Sequence, residues 1–118
     1  MIISPTRISQ NVYQPSGTVI SNIEITDSTL LVKNTEYSTT ILPDGNWIFM
    51  YPPTNQIVVT TPSAGIFWEF CTGELELDKV IRKIAKLYPN QRIDEIRNDV
   101  FKIAPTFIQH QLLTFHNS

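Results

Sequence analysis

The hydrophobic period of the chain changes from two to 3.6 at Thr61-Pro62, and this change sets the class of fold open to it. Before that point, β-branched and aromatic residues cluster in short runs bounded by Pro, Gly, Asn and Asp, the pattern of strands and turns. Residues 39–42 and Trp47–Tyr51 flank Pro43-Asp44-Gly45-Asn46, a hairpin connection in which glycine supplies positive φ. A second reversal at Pro52-Pro53-Thr54-Asn55, with Pro53 pre-setting the turn, leads into a strand over Gln56–Thr60. Three antiparallel strands are expected. Short apolar runs at 23–25 and 30–32 leave room for one more, whereas residues 1 to about 22 have no sustained period and read as loose.

Beyond residue 61 the pattern is helical. Thr61 can cap and Pro62 suits the first helical position, so a first helix runs to about Thr72 and stops at Gly73. Its Ala64, Ile66, Phe67, Trp68, Phe70 and Cys71 are apolar nearly all round, which places it centrally. A second helix carries Leu77, Val80, Ile81, Ile84 and Leu87 on one face and Lys79, Arg82, Lys83 and Lys86 on the other, ending near Tyr88-Pro89. The third extends from near Ile93 toward Leu113, with Ile96, Val100, Ile103 and Phe107 as its core stripe. Pro105 removes an amide donor inside this helix and should kink or break it near residues 101–104.

At 118 residues the chain suits one core. Hydrophobic residues at 42% exclude general disorder, and no window approaches the ~18 uninterrupted apolar residues of a membrane span. Charged residues at 17% fall below the roughly 25% of ordinary domains, so the surface is largely uncharged polar or covered. The start, Met1-Ile2-Ile3-Ser4-Pro5, does not have the basic n-region and long apolar core of a secretory signal, and the single cysteine, Cys71, cannot form an internal disulfide. A soluble protein of the reducing cytoplasm is expected. Charge is uneven along the chain: residues 1–78 carry a net −6 and residues 79–102 a net +4. Such a basic stretch is either a solvated helix face or an attraction for an acidic partner.

The third helix has more apolar surface than one stripe needs, because Phe101, Ala104, Pro105 and Ile108 form a second row. The N-terminal segment or a dimer partner can cover that row, or it can line a peptide groove. In the second strand Trp47, Phe49 and Tyr51 point one way and Ile48 and Met50 the other, so both faces want cover. Residues 56–60, as the last strand before the helices, leave one edge unpaired. Catalysis has little support. Cys71 lies on an apolar helix, His110 and His116 supply no metal cluster, and only 4 glycines leave no phosphate-binding loop. No catalytic residue, metal or cofactor is assigned.

The ordered set Trp47-Ile48-Phe49-Met50-Tyr51-Pro52, Ile57-Val58-Val59-Thr60-Thr61-Pro62-Ser63-Ala64 and Phe70-Cys71-Thr72-Gly73 resembles the PqqD-like family. These are the recognition elements that bind leader segments of ribosomally made, modified peptides (RiPPs). The three pieces look like the family's aromatic strand, its short strand leading into an Asn-Pro-Thr-Ala-like helix start, and its Cys-Asp-Gly-like helix stop. Leu77 to Tyr88-Pro89 and Leu112-Leu113 match the spacing of its second and third helices. Gly65 and Ile66 replace a usual small and acidic pair, and Glu76 stands where a capping Thr is common, which should loosen the second helix start.

The resemblance implies a small winged-helix-like α+β domain, a three-stranded antiparallel sheet followed by three helices (β-β-β-α-α-α), over residues 37–113. Residues 1–36 then form an extension, loose or adding a strand, and 114–118 a tail. This extension has no counterpart in the short stand-alone members, and capping the leader's edge would abolish or regulate binding. The implied function is non-enzymatic: the domain holds a precursor's leader peptide and presents it to a peptide-modifying enzyme, a radical SAM maturase being one candidate. Main-chain pairing then falls on Gln56, Ile57, Val58, Val59 and Thr60, side-chain pockets on Phe101, Ala104 and Ile108, and electrostatic help on Arg97 and Lys102, since leaders are often acidic. Two other readings stay open, a winged helix that binds nucleic acid and a structural homodimer. The negative net charge and the apolar third helix weigh against the first.

Overall fold

The computed structural model describes residues 7–8 and 25–116. Its elements are β1 (Arg7–Ile8), β2 (Leu30–Lys33), β3 (Ser38–Ile41), β4 (Trp47–Tyr51), β5 (Gln56–Thr60), α1 (Pro62–Phe70), β6 (Thr72–Glu76), α2 (Leu77–Leu87), α3 (Ile93–Gln109) and β7 (Leu113–Phe115). The expected meander is present as β3-β4-β5, with Phe49 opposite both Thr39 and Val58. Gly45 takes φ +90 in the first turn, where the Asn46 amide donates to Asp44 Oδ1 at 3.0 Å. In the second turn Asn55 takes the left-handed conformation, φ 57, and its amide donates to the Tyr51 carbonyl at 2.8 Å.

Two sheets replace the single one expected. β1 joins the meander to give the order β1-β5-β4-β3, and a second antiparallel sheet has the order β6-β2-β7. The simple β-β-β-α-α-α order is therefore corrected at two places, by a strand between the first two helices and another after the third. The first helix ends at Phe70, and Thr72-Gly73-Glu74-Leu75-Glu76 crosses to pair with β2, with an irregularity between Leu30↔Glu76 and Val32↔Thr72. Gly73 accommodates this at φ +86. Because β2 is the middle strand, residues 30–33 belong to the domain, and residues 114–115 are paired in β7. Within the run at 23–25, residues 23 and 24 lie outside the described residues, and Ile25 packs against the core without joining a strand. The reading of residues 1–22 as loose lies outside them too, apart from Arg7–Ile8.

The helices start by different means. Thr61 caps α1, accepting from the Ala64 amide, with Pro62 next in line. Glu76 gives α2 no side-chain cap, yet the start is secured because the amides of Leu77 and Asp78 donate to the carbonyls of Thr29 and Asp27, each at 2.9 Å. α3 runs through Pro105 as one helix, without the break that was one of the two expected outcomes. Burial of Val100, Ile103, Ala104 and Phe107 on both sides of the proline outweighs one missing hydrogen bond. The core stripes of α2 and α3 are buried as their spacing requires, except Leu87, which is exposed.

α1 approaches β4 closely at Gly65. A Cβ there would fall inside the Trp47 indole, so only glycine lets the helix sit against this strand. Gly65→Ala must move the ring or the helix and should destabilise the fold by about 1–3 kcal/mol, despite alanine's better helix propensity. Chemical denaturation checks this. A stabilised variant would mean that Trp47 yields freely.

Candidate functional site

β5 alternates as a half-buried strand should. Val58 and Thr60 are buried, and Gln56 shares their inward face, while Ile57 and Val59 are half-buried on the outer face. The pairs Met50↔Ile57 and Ile48↔Val59 make that outer face an apolar group of four, with Met50 exposed. The edge expected to be unpaired is occupied. Arg7 lies opposite Val59 and Ile8 opposite Val58, antiparallel, while Gln56, Ile57 and Thr60 have no strand partner on that side among the described residues.

The other candidate residues lie on α3. Phe101 and Ile108 are half-buried against the core, Lys102 is exposed, and Ala104 is wholly buried. The second apolar row is therefore partly core. Ala104 offers no surface to a ligand, a correction to its assignment as a pocket residue. Phe107 stacks on Phe67 with ring centroids 6.0 Å apart and meets Phe49 edge-on at 6.5 Å, which fixes α3 against α1 and the first sheet.

The start of β5 and the end of α3 are joined by a polar cluster that sequence reasoning missed. The Tyr37 hydroxyl donates to the His110 carbonyl at 2.8 Å, and Gln56 Nε2 donates to that hydroxyl at 2.7 Å and to the same carbonyl at 3.3 Å. These donors serve a carbonyl at the C-terminal end of α3, a position where helix carbonyls lack intrahelical partners. Burial first, and neighbouring Tyr51 second, push the Tyr37 hydroxyl up to about 12, so it remains a proton donor at neutral pH. Gln56 thus has a structural task for its side chain. Tyr37 carried no local signal, since its partner lies 73 positions away. Burial lowers the affinity of His110 for a proton, and burial pushes the Cys71 thiol up, with Lys33 opposing weakly.

The basic stretch is largely engaged. Arg97 binds both Asp27 and Asp78, the latter at 2.7 Å, Arg82 binds Asp78 at 3.0 Å, and Arg92 binds Asp94 at 3.0 Å. Lys83 lies 4.8 Å from the Phe70 ring centroid. Lys79, Lys86 and Lys102 are exposed. Arg97, expected to attract a ligand, instead fastens α3 to the start of α2 and to the segment before β2. Its guanidinium first and that of Arg82 second hold the Asp78 carboxyl below the usual carboxylate range.

Arg97→Ala should therefore lower the melting temperature without any ligand present. The sign with pH is fixed: a depressed folded-state value means that the contribution is full above the ordinary value of 3.8 and vanishes as pH falls through the depressed one. The native and variant melting temperatures should converge in acid. A constant difference down to the lowest pH would show that packing, not ion pairing, is what Arg97 supplies.

No helix among the described residues is long and apolar enough to cross a membrane. No protein-family model matches the chain, and neither curated proteins nor solved structures gave a match.

Proposed function

We propose that the domain binds an extended peptide as an added strand on the outer edge of β5, and that this peptide is the leader of a ribosomally made precursor. The observation that carries the reading is the edge itself: it accepts an extended segment, Arg7–Ile8, antiparallel at Val58 and Val59. The resemblance to PqqD-like recognition elements supports it. Although β6 separates α1 from α2, the succession β3-β4-β5-α1-α2-α3 keeps the order of a winged-helix-like unit. Peptide pairing would use the main chain of residues 56–60, with Phe101 and Ile108 as apolar neighbours and Lys102 as the exposed cation on α3. A modifying enzyme would act on the held precursor. Nucleic acid is the weaker reading, because Arg82, Arg92 and Arg97 already face carboxylates.

Titration of synthetic precursor peptides encoded beside the gene, followed by backbone amide shifts, tests the proposal. Saturable binding should move the amides of residues 56–60. Phe101→Ala should lower affinity by about 1–2 kcal/mol, as loss of an aromatic anchor does, while the protein stays folded because this ring is only half-buried. Phe107→Ala should instead cost about 3–5 kcal/mol of stability. Absence of saturable binding, or sequence-specific nanomolar retention of DNA in a gel shift, would overturn the proposal.

A further inference from the structure

We infer that Arg7–Ile8 is a built-in competitor for the β5 edge, so that a bound peptide gains its place by displacing the chain's own strand. The inference rests on the reading of β5 as a peptide edge and adds how that edge is controlled. β1 pairs with two of the five residues of β5, at Val58 and Val59. It leaves Gln56, Ile57 and Thr60 without a partner on that side among the described residues. An extended peptide that pairs along residues 56–60 must take the main-chain positions that β1 holds at Val58 and Val59, so the two cannot be bound at once.

Its tether makes such a strand effective. It belongs to the same chain, joined to β2 through residues 9–29, so its pairing is intramolecular and is not diluted as a free peptide is. An edge covered this way resists indiscriminate strand addition and sheet-to-sheet association, yet yields to a segment that pairs along its whole length. The competition is a main-chain one, set by register and strand length.

The experiment uses the full chain and, as probe, a synthetic peptide with the sequence of residues 2–14, which contains the resident strand. Arg7→Pro/Ile8→Pro removes both strand amides and should free the edge. If β1 is docked in nine chains of ten, the variant binds the probe about ten-fold more tightly than the native chain, with amide shifts at Val58 and Val59. A second variant, Arg7→Cys/Val59→Cys, places thiols at directly opposed positions, a spacing a disulfide can bridge. Oxidised within one chain, it should lose probe binding and regain it on reduction.

Equal probe affinity in the native chain and the double-proline variant would remove the competitor while leaving β5 a peptide edge. Unchanged binding by the locked form would do the same. A disulfide joining two chains would assign the strand to a second copy and overturn the inference. No binding to any form at millimolar probe would overturn both the competitor and the peptide edge.

Discussion

The position of Phe107 governs most of what this structure can do. Its ring is fully buried between Phe67 of α1 and Phe49 of β4, and through it one residue of α3 holds a helix and a sheet at once. Burying such a side chain contributes roughly 1.5–3 kcal/mol, before the specific ring geometry is added. Once α3 is held there, the chain that leaves it is held too. Trp68 Nε1 donates to the Leu112 carbonyl at 2.8 Å, and Asn34 Nδ2 donates to the Gln111 carbonyl at 2.9 Å. Leu112 and Leu113 are wholly buried, and β7 is thereby delivered to the side of β2. The second sheet depends on the aromatic contact that closes the first.

The sheet edges are treated differently from one another. β3 is exposed along its whole length and is mostly Ser and Thr, ending in an exposed Ile41. β6 carries Glu74 and Glu76 on exposed positions, and β7 is only three residues long. Polarity, charge and shortness are common ways of making an edge unattractive to another strand. β5 has none of them: its sequence is Gln-Ile-Val-Val-Thr, and it is covered instead by β1. A covering strand is the only one of these protections that can be exchanged for another strand, and this distinguishes the β5 edge from the other three.

The local elements were legible in the sequence because each has its own signal. Alternation marked β4 and β5, turn residues marked both hairpins, and helical spacing marked α2 and the start of α3, whereas α3 stops at Gln109 and the expected end at Leu113 lies in β7. What was not legible depends on partners far along the chain. Thr72-Gly73-Glu74-Leu75-Glu76 contains two glutamates and a glycine, and becomes a strand only because β2 lies beside it. Arg7–Ile8 is two residues long and has no period to detect. Arg97 looked like a ligand-attracting cation because Asp27 and Asp78 lie 70 and 19 positions away. Of the residues assigned to the site, Phe101, Lys102 and Ile108 keep some exposed surface, whereas Ala104, four residues after Val100 and three before Phe107, lies buried with the core stripe.

This division between rigid and exchangeable parts bears on how a peptide could be recognised. α3 is held by Phe107 and by Arg97, and the carbonyl of its cap residue His110 accepts from Tyr37 and Gln56, so its end is fixed beside the start of β5. The β5 edge offers a regular row of backbone groups that any extended chain can use, so pairing alone carries little sequence information. Discrimination must then come from side chains on one face of the added strand, every second residue, since those share the inward face of Val58 and Thr60. A one-residue slip would turn all of them to the outer face, beside Ile57 and Val59. Register is therefore the quantity that such a site reads. Because Gln56, at the start of β5, is tied by its side chain to the end of α3, the strand and the helix end are held in one fixed relation.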